Sequence, residues 1–272
     1  MPTSHDGLEL PAIGFGTYQL RGADGQAAVE GAIDAGYRLL DSAVNYENEG
    51  IVGAAARTSG RDDLVVTSKL PGRHHERGLA LDTIAESVAR TGLERIDLYL
   101  VHWPNPSRGQ YVDAWRALVE ARERGLVGAI GVSNFLPEHL DRLEAETGVV
   151  PAVNQIELHP CFPQEDAVRL HAERGIITEA WSPLARGSDL LAEPTLVEIA
   201  RETDATPGQV ALAWSIARGV VPIPKATSID RQRENLEAAE LALSPEQVAR
   251  ITALGRPDGR LRDQDPARHE EL

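Results

Sequence analysis

The sequence predicts an α/β protein, a single (β/α)8 barrel of parallel strands ringed by helices. Three observations carry this. Eight short apolar runs alternate with amphipathic stretches along the 272 residues. Most of the runs stay apolar without strict alternation, as strands buried on both faces do. The competing fold, an open doubly wound sheet, should carry a glycine fingerprint after its first strand. The segment GFGTYQLRG at 14–22 has Gly14 and Gly16 but no glycine three positions later.

The runs are AIGFG (12–16), YRLLDS (37–42), DLVVTSKL (63–70), IDLYLVHW (96–103), LVGAIGVSN (126–134), PAVNQIEL (151–158), GIITEAWS (175–182) and GVVPIPK (219–225). Helical patterns lie between them. Val112, Trp115, Leu118 and Val119 share one face at helical spacing. Thr206 and Ser244 each precede a proline and stand three residues before a glutamine, which is a capping box with proline at the first helical position. The long gap before the eighth run holds two helices, EPTLVEIARETD and TPGQVALAWSIARG. No linker or composition break interrupts residues 1–272, so one domain is expected. The tail at 255–272 is polar and irregular, either a mobile arm or a cover for one barrel face.

Composition narrows the function. Hydrophobic residues make up 42% and charged residues 25%, which is ample for a core. The formal net charge is −15, which argues against nucleic acid or an anionic membrane as a partner. The lone cysteine, Cys161, excludes an intrachain disulfide and a cysteine-based zinc site, and reads as a packed thiol. No metal site is expected: His74 and His75 lack a partner at ligand spacing and read as solvated, and His159 reads as a turn residue. The start has no signal-peptide pattern and no run is long enough to span a bilayer, so the cytoplasm is expected.

In a parallel barrel the site lies where strands end and helices begin. The polar or aromatic residues at those ends are Asp41, Lys69, His102, Ser133 with Asn134, Gln155, Trp181 and Lys225, most of them about one β–α unit apart. Asp41, Lys69 and His102 fall on adjacent strands, and Tyr46 on the loop after the second. A lysine and a carboxylate at this depth should pair. A lysine beside a phenol should lower its pKa from about 10 and ready it for proton transfer. His102 adds a second donor, and the set suits a reaction in which negative charge grows on a carbonyl oxygen. Each residue alone has a plainer reading: Asp41 a helix cap, Lys69 a snorkelling cation, His102 a core histidine, Tyr46 a packing aromatic. Their convergence on one rim favours chemistry. Lys225 and Arg231, six residues apart across a strand-to-helix turn, can clamp a phosphate.

At this point the chain resembles the aldo-keto reductases, NADPH-dependent TIM-barrel oxidoreductases, from about Leu10 to about Leu254. The motifs GFGTY, LLDSAVNYENE, VTSKL, LVHWP, IGVSNF, VNQIELHP, WSPL and IPKAT...R..EN stand in that family's order. It is most similar to bacterial members that reduce small ketones, including sugar-derived diketo acids. The resemblance implies Tyr46 as general acid, Lys69 held by Asp41 as its tuner, and His102 as the residue that orients the carbonyl. It implies Ser133, Asn134 and Gln155 on the nicotinamide carboxamide and Trp181 stacked on the ring. Ser182, Pro183 and Leu184 would meet the pyrophosphate, Lys225, Thr227 and Arg231 the 2′-phosphate, and Glu234 and Asn235 the adenine. Gly16, Thr17, Tyr18 and Ala226 complete the implied cofactor contacts, and Tyr18 and Trp103 join Tyr46 and His102 around a small carbonyl substrate.

Three departures stand out. Ala226 replaces a serine common in relatives, which softens the preference for NADPH and leaves NADH as an alternative. The N-terminal hairpin that closes the barrel bottom looks abbreviated, and the tail lacks the apolar lining of steroid-reducing relatives. Tyr18, Trp103 and Tyr111 on rim loops either wall a pocket or cover the barrel end. Two rival functions remain open at this point: a lyase forming a Schiff base on Lys69, and a regulatory protein without activity. The fold needs no partner to bury its core, so a monomer is expected.

Overall fold

The computed structural model describes residues 1–186 and 188–271. Eight parallel strands follow one another in sequence order around one sheet. They are Phe15–Gly16 (β1), Leu39–Asp41 (β2), Val65–Leu70 (β3), Ile96–Val101 (β4), Val127–Ser133 (β5), Val153–Glu157 (β6), Ile177–Trp181 (β7) and Val220–Ile223 (β8). Each lies inside one of the eight apolar runs. The amides of Gly14 and Gly16 donate to the carbonyls of Pro222 and Pro224, which joins β8 to β1 and completes the ring.

Ten α-helices surround the strands among the described residues: Gly22–Ala35 (α1), Glu49–Thr58 (α2), Arg77–Thr91 (α3), Tyr111–Glu123 (α4), Pro137–Thr147 (α5), Glu165–Glu173 (α6), Pro194–Glu202 (α7), Pro207–Ala217 (α8), Ile229–Glu237 (α9) and Pro245–Thr252 (α10). The two capping boxes form as the sequence predicts: Thr206 accepts from the Gln209 amide and Ser244 from the Gln247 amide, and each glutamine side chain accepts from the cap's own amide. No helix is long and apolar enough to cross a membrane among the described residues.

Side chains two apart along a strand share a face, so each strand sends one row of residues into the barrel. The lower part of that row is apolar. Leu39, Leu98, Leu100, Ala129, Val153, Ile177 and Val221 pack together with Leu10. Leu10 arrives from a short N-terminal hairpin in which Thr3 bridges Glu9, the abbreviated closure the sequence suggests. Each buried leucine here contributes about 1.5–3 kcal/mol through loss of apolar surface to water. Two to four residues further along, the inward rows turn polar: Asp41, Thr67, Ser133, Gln155 and Glu179 are all buried. The outward rows pack on the helices. Val112, Trp115 and Leu118 of α4 are buried in that outer core, with Val119 packed against it. The apolar floor and polar upper storey together fix where chemistry can occur.

Candidate active site

The polar storey is organised around one cation. Lys69 is fully buried, and its Nζ donates to Asp41 Oδ1 at 2.6 Å, Asp41 Oδ2 at 2.7 Å and the Ser42 carbonyl at 2.8 Å. All three ammonium protons are thereby used. Burial alone would lower the lysine pKa, but Asp41 foremost, with Tyr46 and Glu179, outweighs it and the pKa rises. Lys69 is therefore held as an ammonium, and the free amine that a Schiff base needs is absent.

Tyr46 ends a short 3-10 turn, Val44–Tyr46, directly after β2. That loop is tied down by Asn48, which accepts from Ser42 Oγ at 2.6 Å and donates to the carbonyls of Thr17 and Leu20. Thr17 in turn donates to the Asp41 carbonyl at 2.7 Å. The aromatic ring lies 4.9 Å from Lys69 Nζ, 5.1 Å from the Tyr18 ring and 5.9 Å from the His102 ring. The four residues expected at one rim do meet there. The expected lowering of the phenol pKa does not occur. Burial pushes it up to about 12; Lys69 pulls it down, but Asp41 and Glu271 oppose that pull. The lysine's charge is already cancelled by its carboxylate, so desolvation wins.

A cavity of about 860 Å³ opens at this end of the barrel. Asp41, Tyr46, His102, Trp103, Ser133, Asn134, Gln155 and Trp181 line it, and so do Gly16, Tyr18, Ser182, Pro183, Leu184, Lys225 and Arg231. Thr17, Ala226, Thr227, Glu234 and Asn235 stand outside the lining. Thr17 and Ala226 are buried behind it, and Glu234 accepts from the Thr206 hydroxyl at 2.7 Å. Tyr111 proves to be packing, edge-on to Phe135 and His139. His75 corrects the expectation of a solvated pair: it is fully buried, and burial pushes its pKa down to about 4. Beside it, the partly buried His74 meets the Thr83 hydroxyl through Nδ1.

The flat face and amides of the cavity are fixed in place. Trp181 Nε1 donates to Asn134 Oδ1 at 2.8 Å, while Asn134 Nδ2 donates to the His102 carbonyl and to Ser133 Oγ. Asn134 holds a left-handed backbone, φ 64°, which asparagine tolerates better than most residues. Gln155 Nε2 donates to Asp41 Oδ1 at 2.9 Å and Glu179 Oε2 at 2.8 Å. Both its amide protons are spent, so toward the cavity it offers only its carbonyl oxygen.

Sequence reasoning missed Glu179 and Glu271. Glu179 sits inside β7, where burial and then the neighbouring Asp41 raise its carboxyl to about 7. A carboxylate within a doubly buried run was itself the available signal. Its folded pKa lies above the ordinary value of 4.5, so its contribution to stability is complete below pH 4.5 and is lost as pH rises through 7. Glu179→Gln should therefore match the wild type at pH 4 within error and exceed it at pH 8 by about 3 kcal/mol. Thermal or denaturant unfolding at the two pH values measures this, and an equal difference at both would contradict it.

Comparison with known proteins agrees with this geometry. The chain matches the Aldo/keto reductase family over residues 12–256. It belongs to that family. Among aldo/keto reductases it is 54% identical to 2,5-diketo-D-gluconic acid reductase B of Corynebacterium sp. (strain SHS752001), over 98% of this chain and 97% of that protein. It is 40% identical to the methylglyoxal reductase DkgA of Yersinia pestis, over 92% and 91% of the two chains. The solved structure of a Gox0644 variant in complex with NADPH superposes with a TM-score of 0.92 at 38% identity, covering 97% of this chain and 96% of that one. As an aldo/keto reductase the chain is an NAD(P)H-dependent oxidoreductase.

Proposed function

We propose that this aldo/keto reductase reduces a small aldehyde or ketone to the alcohol with NADPH, Tyr46 serving as the general acid. The carrying observation is that Tyr46, His102 and Asp41, with Lys69 buried behind it as its ion-pair partner, open into the same cavity as Lys225 and Arg231. On a chain of net charge −15, those two cations make no ion pair among the described residues. They fit a phosphate group, and Trp181 offers a flat face beside the polar groups of Ser133, Asn134 and Gln155. Bound there, NADPH supplies the hydride. Lys225, Thr227 and Arg231 hold its 2′-phosphate, Glu234 and Asn235 its adenine, and Ser182, Pro183 and Leu184 its pyrophosphate. Gly16, Thr17, Tyr18 and Ala226 form the wall behind.

The chain's own residues manage the proton. A phenol with a pKa near 12 stays protonated at neutral pH, so its resting form is the acid that reduction requires. As negative charge grows on the carbonyl oxygen, Tyr46 gives it a proton and His102 donates a hydrogen bond to the same atom. Lys69, already paired with Asp41, only partly offsets the phenolate left behind, which regains its proton from water. Tyr18 and Trp103 wall the substrate. The names of the Corynebacterium and Yersinia relatives point to small polar carbonyl compounds, sugar-derived keto acids among them. We place the enzyme in the cytoplasm as a monomer without nucleic-acid or membrane partners: the free thiol of Cys161 suits a reducing compartment, and the acidic surface repels phosphate polymers.

The test is NADPH oxidation against a panel of aldehydes, ketones, keto acids and sugars, repeated with NADH. If NADPH quenches tryptophan fluorescence and no substrate in the panel is reduced, the chain is a binding protein and the proposal fails. Arg231→Ala or Lys225→Ala should each weaken NADPH binding by about 10-fold, one charge-assisted contact, and leave NADH binding nearly unchanged. Equal losses for both nucleotides would remove the 2′-phosphate role.

A further inference from the structure

The polar tail is a cover. Leu261, Arg262, Gln264, His269 and Glu271 all line the cavity. The tail is seated by the Leu261 amide on Glu157 Oε1, and by the His269 ring 4.3 Å from that of Trp103. Glu271 is the most firmly held residue of this segment. The buried side chain of Asn105 clasps its backbone from both sides, accepting from the Glu271 amide at 3.1 Å and donating to its carbonyl at 2.7 Å. Its carboxylate accepts from Asn45 Nδ2 at 2.7 Å and from the Gly72 amide at 2.9 Å. Gly72 has to lack a side chain here, because a Cβ would run into the Asn105 side-chain amide. The result is a carboxylate only 12% exposed, with Oε1 2.7 Å from His102 Nδ1.

From this geometry we infer that Glu271 is a positioning residue for His102, fixing a proton on Nδ1 and the ring's orientation toward the substrate. The inference rests on the reading of His102 as a carbonyl-facing donor. An anion 2.7 Å from one ring nitrogen keeps that nitrogen protonated and assigns the opposite one, Nε2, to the substrate side. The approach lies off the N–H axis, so charge carries the contact more than a directed hydrogen bond does. Glu271 is suited to this. Burial would raise its carboxyl pKa, but His102, the Gly72 amide and Asn45 outweigh that and hold it at about 2. Two other histidines feel this carboxylate, His75 and His269, and burial pushes both down, His75 to about 4; neither is in ion-pair contact with it, which leaves His102 as the partner. The tail thereby becomes part of the catalytic apparatus, and a cover that leaves the socket would release His102 at the same time.

The decisive experiment uses ¹⁵N-histidine NMR on the full chain with NADPH bound, in the wild type and in Glu271→Gln. Glutamine keeps an oxygen for the Asn45 or Gly72 donors, so the tail stays docked while the charge is lost. The wild type should show His102 protonated on Nδ1. In Glu271→Gln that state should give way to the other tautomer, kcat should fall by about 10-fold or more, and the NADPH dissociation constant should stay within about twofold. An unchanged His102 signal overturns the inference whatever happens to turnover, and so does unchanged kcat alongside a changed signal. Glu271→Ala, which loses the carboxylate altogether, must reproduce the His102 change. A wild type that reduces no carbonyl would defeat the proposed function instead, and the NMR comparison would still decide the Glu271–His102 contact.

Discussion

Tyr46→Phe should lower kcat by about 10³-fold while the NADPH dissociation constant moves by less than about twofold and the thermal midpoint is nearly unchanged. The magnitude follows from removing one well-placed general acid, which accounts for roughly 10²–10⁴ in rate. The selectivity follows from what phenylalanine keeps. Its ring still packs against Tyr18 and His102, at the 5.1 Å and 5.9 Å separations of the tyrosine, so the loop from Val44 has no reason to move. Asp41 and Lys69 still satisfy each other, so no buried charge is orphaned. Only the proton source disappears. The alternative donor, His102, lies two strands on, at the end of β4, and cannot replace the phenol from its own position without losing the contact with Glu271. Steady-state kinetics with the best substrate of the panel, together with fluorescence titration of NADPH, would test this. Unchanged kcat would remove Tyr46 from the chemistry, and loss of NADPH binding would show that its role is to build the cofactor seat.

In the proposed mechanism, a phenol raised by burial also suits donation of a proton better than its removal. Donation to a forming alkoxide is favourable from an acid near pKa 12, since an alkoxide is far more basic. The reverse reaction requires the phenolate, which at neutral pH is scarce. The sequence alone suggested the opposite tuning, because a lysine nearby is visible in a list of residues and desolvation is not. The strand positions, in contrast, were readable. A strand buried on both faces leaves a continuous apolar run, and a polar residue such as Asp41 or His102 at the end of such a run marks the rim. The capping boxes at Thr206 and Ser244 were readable because they are local, spanning three residues. Glu271 was not: its socket is built from Asn45, Gly72, His102 and Asn105, and pairing across some two hundred residues leaves no periodic trace. His75 was misread for a related reason. A polar neighbourhood in sequence is no guide to burial in the fold.

Asp41→Asn is expected to be the most destabilising single-atom-scale change in the site, and its cost should depend on pH. Asparagine keeps one oxygen for Lys69 but presents an amide where the ammonium needs an acceptor. The buried cation then lacks its counter-ion, a loss of about 3–5 kcal/mol when a paired buried charge is stripped of its partner. A second carboxylate stands within reach of the same charge. Glu179 is coupled to Asp41 through the shared Gln155 amide, and repulsion by Asp41 is one reason its carboxyl titrates as high as about 7. Without Asp41 that repulsion is gone, and Glu179 can ionise more readily and take over as the anion facing Lys69. The gap in stability between Asp41→Asn and the wild type should therefore be widest near pH 5, where Glu179 is protonated in both, and narrow toward pH 8. Turnover should not recover in parallel, because Asp41 also accepts from Gln155, and its loss frees the amide that shapes the floor of the cavity. Denaturant unfolding from pH 5 to pH 8 measures the first part and kcat across the same range the second. A stability gap that stays constant with pH would show that Glu179 and Lys69 do not share a charge, and the buried network would reduce to the Asp41–Lys69 pair alone.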